Sequence, residues 1–122
     1  MPFNLGYSQQ TLHYFYQRQH GGILQGDDVI CARHVNEQQS EIFNLYLQLK
    51  VGKITAARFQ ASGSVALLAS LEFVCGYLEG KTRVDALALK SQDILTALEL
   101  SDFKRHTANL ICRALQGVIQ NE

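Results

Sequence analysis

Four histidines, three cysteines and a few serines and threonines are the residues best suited to chemistry, and their spacing decides which chemistry is open. Cys31-Ala-Arg-His34 has the two-residue gap of half a zinc site, but no second half of similar spacing follows. On a strand a separation of three also points the two side chains to opposite faces. Ser62-Gly63-Ser64 lies between a strand-like and a helix-like segment, where free N–H groups can hold an anion. With one glycine and no following Lys-Ser/Thr it is no phosphate loop, and helix capping is its better reading. Ser62, Ser64 and Thr107 offer hydroxyls, and His13, His20, His34 and His106 offer bases. No spacing joins a hydroxyl to a base and no Gly-x-Ser-x-Gly elbow is present, so the residues give no ground for an enzyme. Lys104-Arg105-His106 gathers positive charge at the start of a helix, where the backbone dipole disfavours it. Such a choice marks either a function or a neighbouring acid.

The elements that must position these residues follow from periodicity. Leu12, Phe15 and Tyr16 place a first helix over Tyr7 to Gln19, with Ser8 as its cap and Gly21-Gly22 as its stop. Asp28 to Val35 holds a strand with Val29, Cys31 and Arg33 on one face. From Ile42 to Val51 apolar and polar residues alternate, putting Phe43, Leu45, Leu47, Leu49 and Val51 on the buried face of a strand. Gly52-Lys53 is the expected two-residue turn of a hairpin, pairing Val51 with Ile54 and Leu49 with Ala56. The returning strand runs Lys53 to Gln60. Val65 to Glu79 is apolar on nearly every side, the pattern of a helix buried on several faces. Thr82 opens a short helix to about Leu89, Ser91 caps another through Leu98, and Ser101 or Asp102 opens the last. Phe103, Leu110, Leu115 and Ile119 are its expected apolar stripe. The resulting order, strands followed by a run of helices, is an α+β layout. It describes a small antiparallel three-stranded sheet with helices packed on one face, expected as one domain over residues 1–122.

Composition narrows the function. The 122 residues are 47% hydrophobic and 18% charged, enough for an apolar core without disulfides or structural metal. Eleven basic and eleven acidic residues balance, which argues against a nucleic-acid surface. The stretch from Val65 to Leu78 is interrupted by Ser70, Glu72 and Gly76 and is too short to span a bilayer. The N-terminus has no basic start or apolar run of a secretory signal, so a cytoplasmic location is expected. Three separated cysteines fit reduced thiols there.

Leu47-Gln48-Leu49-Lys50-Val51, Ile54-Thr55-Ala56-Ala57-Arg58-Phe59, Ser62-Gly63-Ser64-Val65-Ala66 and Gly80-Lys81-Thr82 follow one another at fixed distances. In this order they resemble the LQIKV strand, I-x-x-A-R-F strand, G-C-G-S-A turn and G-K-[ST] helix end of the IscU/NifU N-terminal scaffold family. Downstream, Leu100-Ser101-Asp102-Phe103-Lys104-Arg105-His106-Thr107 is similar to that family's L-P-P-V-K-x-H-C. Upstream, Tyr7-Ser8 and Phe15 to Gly22 are similar to its opening helix. The resemblance implies an iron–sulfur cluster assembly scaffold, not an enzyme, with a fold like that of the family.

In the family three cysteines and a neighbouring His or Asp present ligands to iron, because soft thiolates select such clusters. The resemblance puts Glu41, Ser64 and Thr107 at the three cysteine positions and Phe43 at the aspartate. His106 and Lys104 alone keep the family's residue types. Hydroxyls stay protonated at neutral pH and ligate iron poorly. Both prolines of the segment that the family's chaperone recognises are replaced, by Ser101 and Asp102. The expectation is a divergent homologue that holds no cluster by the usual three cysteines. It would act as a binding or regulatory module, with a cysteine desulfurase or other iron–sulfur assembly proteins as partners and Lys104 as a contact. No bound cofactor is expected. The alternative is a weakly held zinc or iron ion on Glu41 and His106, completed by water or a partner.

Overall fold

The computed structural model describes residues 6–120. Three strands, β1 (Val29–Asn36), β2 (Glu41–Lys50) and β3 (Lys53–Ser62), form an antiparallel sheet in that order. Alternation works as the sequence reading expects over most of β2: Phe43, Leu45 and Leu47 are fully buried, while Asn44, Tyr46 and Gln48 face outward. Tyr46 and Arg33 on that outer face donate hydrogen bonds to Gln60 and Asn44 of neighbouring strands.

The hairpin register differs from the expected one. Lys50 pairs with Lys53 and Leu49 with Ile54, so the turn residues are Val51 and Gly52, not Gly52 and Lys53. Both carry positive φ, 52° and 75°, as a type I′ turn requires. Val51 therefore leaves the buried face and is fully exposed. The ladder recovers its alternation through a bulge at Gln48/Leu49, where Thr55 is the extra residue and its hydroxyl donates to the Gln48 side chain at 3.0 Å. A β-branched residue is strained at such a φ. Val51→Asn is expected to stabilise the protein by about 1 kcal/mol, since no packing is lost. An unchanged or lower urea midpoint would contradict this.

Among the described residues five α-helices precede or follow the strands: α1 (Gln9–Gln17), α2 (Val65–Leu78), α3 (Arg83–Leu87), α4 (Ser91–Leu98) and α5 (Arg105–Gln120). α2 packs over β3, α5 packs over β1, and α1 and α4 flank α2. Buried on several sides, α2 contributes Leu67, Leu71, Val74 and Leu78 to one core with Phe43, Leu45, Leu47, Ile111 and Leu115. Its uniform apolarity is thus explained by a central position. The caps at Ser8, Ser64 and Thr82 match expectation, each accepting a backbone N–H three residues on. At α4 the cap is Lys90 rather than Ser91, and the Asp93 carboxylate accepts the Lys90 N–H at 2.9 Å. Phe103 is not on the buried stripe of α5. It lies in a 3-10 turn, Asp102–Lys104, and is 88% exposed.

The outer edge of β3 is closed. Phe59 exchanges backbone bonds with His20 and Gly22, and Ile54 with Gly80 and Lys81. Between them the Ala57 N–H donates to the Glu79 carboxylate at 3.0 Å. The segments entering from α1 and leaving α2 thereby cover an edge that would otherwise template aggregation.

Candidate functional site

One end of the sheet meets the first turn of α2, and the first turn of α5 carries the other two candidate residues. Glu41 opens β2, and its side chain is buried at 7% exposure. One carboxylate oxygen, Oε2, accepts the Ser64 hydroxyl at 3.3 Å, and Ser64 Oγ accepts the Leu67 N–H at 3.1 Å. The carboxylate thus stands at the positive end of α2, where a negative charge is favoured. Gly63 makes this approach possible: a Cβ there would come within 3.0 Å of Glu41 Cγ and 2.9 Å of Leu67 Cδ2. The second oxygen, Oε1, is buried without a hydrogen-bond partner.

His34 of β1 lies opposite Phe43, so both face the core side, and their ring centroids are 5.6 Å apart. His34 Nε2 is also buried without a partner. Cys31 is exposed on the outer face, which separates it from His34 as the strand spacing requires. On α5, His106 is exposed and Thr107 is 2% exposed and turned inward, with His106 Nε2 and Thr107 Oγ1 3.4 Å apart. Glu41 and Ser64 are thus brought into contact, and so are the neighbours His106 and Thr107. No hydrogen bond among the described residues joins the two pairs. Nor do three His, Cys, Asp or Glu side chains converge on a common point among the described residues.

Lys104 stands 6.0 Å from the centroid of the Tyr7 ring. The basic cluster has the neighbouring acid that its position calls for: Arg105 pairs with Asp102 at 2.7 Å and donates to Gln92 at 2.8 Å. The three thiols are all held protonated. Burial raises Cys31, pushes Cys112 up to about 11 with help from the Asp93 charge, and raises Cys75 much further, with Glu72 and Glu79 adding to it. For Cys75 and Cys112 this is the reverse of the electropositive setting that makes a thiolate ligand, and at Cys31 burial outweighs the opposing charge of Arg33.

A second polar cluster escaped the sequence reading. Glu72 lies within α2 at 1% exposure and accepts from the His20 N–H at 3.0 Å, and its Oε2 is 2.7 Å from His20 Nδ1 and accepts from Gln17 Nε2 at 3.2 Å. His20 Nε2 reaches Glu79 at 3.1 Å, and Glu79 pairs with Arg58 at 2.8 Å. The only signal for it was one glutamate in an apolar stretch. Its partners His20 and Gln17 come from 52 and 55 residues upstream, beyond the reach of any spacing rule. Burial tends to raise the Glu79 carboxyl, but the Ala57 N–H, Arg58 and His20 outweigh it and hold the group below its ordinary 4.5. A carboxyl depressed on folding contributes stability above its unfolded value and loses it as the pH falls through the folded one. Glu79→Gln is therefore expected to flatten the fall in thermal midpoint below about pH 4.5. An equally steep acid limb would rule out this role.

Comparison with known proteins gives this end of the molecule a context. The NifU-like N terminal domain profile matches residues 6–121, nearly the whole chain. The chain belongs to the NifU-like N-terminal domain family. This NifU-like chain is 30% identical over 119 residues to the iron–sulfur cluster assembly scaffold protein IscU of Escherichia coli K12, covering 94% of itself and 92% of that protein. It is 32% identical over 81 residues to the assembly protein IscU of Plasmodium falciparum, covering 66% of itself and 50% of that relative. Two solved structures share its fold at a TM-score of 0.76 and 15% identity. One, from Fervidobacterium islandicum and described as a cluster assembly scaffold for the SUF system, is covered to 96%, and this chain to 93%. The other, a nitrogen-fixing NifU-like N-terminal protein from Brucella abortus, is covered to 91%, and this chain again to 93%. The α+β architecture with its three-stranded antiparallel sheet is thus the fold of SufU and NifU N-terminal domains. The family is one of scaffolds rather than enzymes. Among the described residues no helix is long and apolar enough to cross a membrane.

Proposed function

We propose that this iron–sulfur assembly scaffold homologue no longer carries a cluster and acts as a binding or regulatory module of the assembly machinery. One observation carries the reading. The residues that the family resemblance pairs with cluster ligands are Glu41 and Ser64 at the sheet end and Thr107 in the first turn of α5, while Cys31, Cys75 and Cys112 lie on the outer sheet face, in α2 and in α5. Oxygen donors here are engaged in folding the end together: Ser64 caps α2, Glu41 backs the cap, and Thr107 is turned into the core. A carboxylate at a helix start does for this end electrostatically what a bound anion does elsewhere.

Zinc or iron held by Glu41 and His106 has less support. Glu41 is buried against Ser64, His106 is exposed, and no third donor joins them among the described residues. A stable structural zinc site takes four ligands.

The partner in this reading is the cysteine desulfurase with which a scaffold works. Calorimetric titration of the purified chain into a desulfurase is expected to give saturable binding that a cysteine-bearing scaffold displaces. Lys104→Glu is expected to weaken that binding. Absence of binding, or binding that the ordinary scaffold leaves untouched, removes the regulatory reading while leaving the loss of cluster ligation standing.

A further inference from the structure

The cations of this chain are almost all engaged within it. Arg58, Arg105 and Lys50 face carboxylates. Arg18, Arg33 and Arg83 donate to oxygens, and Lys81 and Lys104 lie near aromatic rings. Of the eleven Lys and Arg residues, Lys53, Lys90 and Arg113 remain without a partner among the described residues. Lys53 opens β3, beside the hairpin turn. The other two, from different elements, line one groove of about 410 Å³ between the start of α4 and the middle of α5.

The rest of that groove suits an anion with several acceptor oxygens. Asn109, Cys112, Arg113 and Gln116 stand three, four and seven residues apart, on one face of α5. Ser91 lies opposite, beside Lys90. The side chains of Ser91, Asn109 and Gln116 make no hydrogen bond within the described residues, so a hydroxyl and two amides stand ready to donate. Asp93, the nearby acid, does not line the groove, and its Oδ2 accepts the Lys90 N–H at 2.9 Å; its negative charge reaches Cys112, but the two cations outnumber it. Cys112 at the groove floor stays neutral, for burial and Asp93 both oppose its ionisation. Two free cations on opposing walls with neutral donors between them fit an anion with several acceptor oxygens, as a phosphate has.

We infer that this groove binds a phosphate group, free or carried by a small phosphorylated molecule. The site is separate from the sheet end of Glu41 and Ser64 and is independent of the regulatory reading. The test is an amide NMR titration of the whole chain with inorganic phosphate, and in parallel with glycerol phosphate, at ionic strength held constant with chloride. Saturable shifts are expected at Lys90, Ser91, Asn109 and Arg113. Lys90→Gln and Arg113→Gln are each expected to weaken binding about tenfold, the loss of one charge-assisted contact. Both side chains are exposed, and unchanged thermal midpoints will show that the variants fold. Tighter binding of glycerol phosphate identifies a phosphorylated molecule as the ligand, and equal binding identifies the free ion. Shifts that do not saturate, that persist in the double variant, or that a dicarboxylate reproduces as strongly overturn the proposal.

Discussion

Phe43→Asp is expected to cost at least about 4 kcal/mol, a large part of the stability of a domain this size. The side chain is fully buried on the core face of β2, across from Ala61 on one side and His34 on the other. Removing it opens a cavity in the core, and the aspartate brings a carboxylate with no partner into the space left. Phe43→Leu keeps most of the apolar volume and is expected to lose no more than about 1.5 kcal/mol. This comparison has a functional edge, because the family resemblance puts an aspartate at Phe43. In the proposed reading the strand position of Phe43 is built as core and would not readily accept that aspartate. Urea unfolding followed by circular dichroism measures both variants. A Phe43→Asp midpoint close to that of the wild type would mean that the end is an open site after all.

Glu72→Ala comes next in size, with an expected loss of about 3 kcal/mol. Glu72 ties the end of α1 to the centre of the fold. Its loss leaves the His20 N–H and imidazole and the Gln17 amide without their shared acceptor. His20 also carries the backbone bond that closes the edge of β3, so the damage extends to the sheet. Glu72→Gln keeps one acceptor oxygen and the packing, and a loss of roughly half as much is expected. The signature is the order of the two variants in denaturant midpoint, with slower amide exchange at Phe59 in the wild type than in either. Equal midpoints for wild type and Glu72→Ala would show that the cluster contributes nothing to folding.

The legible parts of this sequence were those that depend on local period and local caps. Phe43, Leu45 and Leu47 marked their strand because a period of two needs only neighbours to read it. Ser8, Ser64 and Thr82 announced their helices because a cap bonds three residues on. The hairpin was legible as a hairpin but not in register. Gly52 suits either the first position of one turn type or the second of another, and the observed choice puts valine where valine is strained. Lys90 serves as cap to α4 because Asp93 reaches back to its N–H, a bond that the adjacent serine concealed. Phe103 kept helical spacing with Leu110 yet lies outside the helix in solvent, since spacing does not say where a helix begins. The candidate site was named residue by residue through the resemblance, but its chemistry was not. That Glu41 would be buried and bound to Ser64, 23 positions away, depends on Gly63 and on the meeting of β2 with α2. His34, whose Nε2 is likewise buried without a partner, came to the same face only through pairing with Phe43.

The central claim is that this scaffold fold has lost the ligands for its cargo. Anaerobic incubation of the purified chain with ferrous iron and sulfide, beside a cysteine-bearing scaffold treated identically, tests it most directly. After desalting, the account predicts no stoichiometric iron and sulfide and no visible absorption from this chain, while the control retains both. A stoichiometric, visibly absorbing cluster that survives desalting would contradict it.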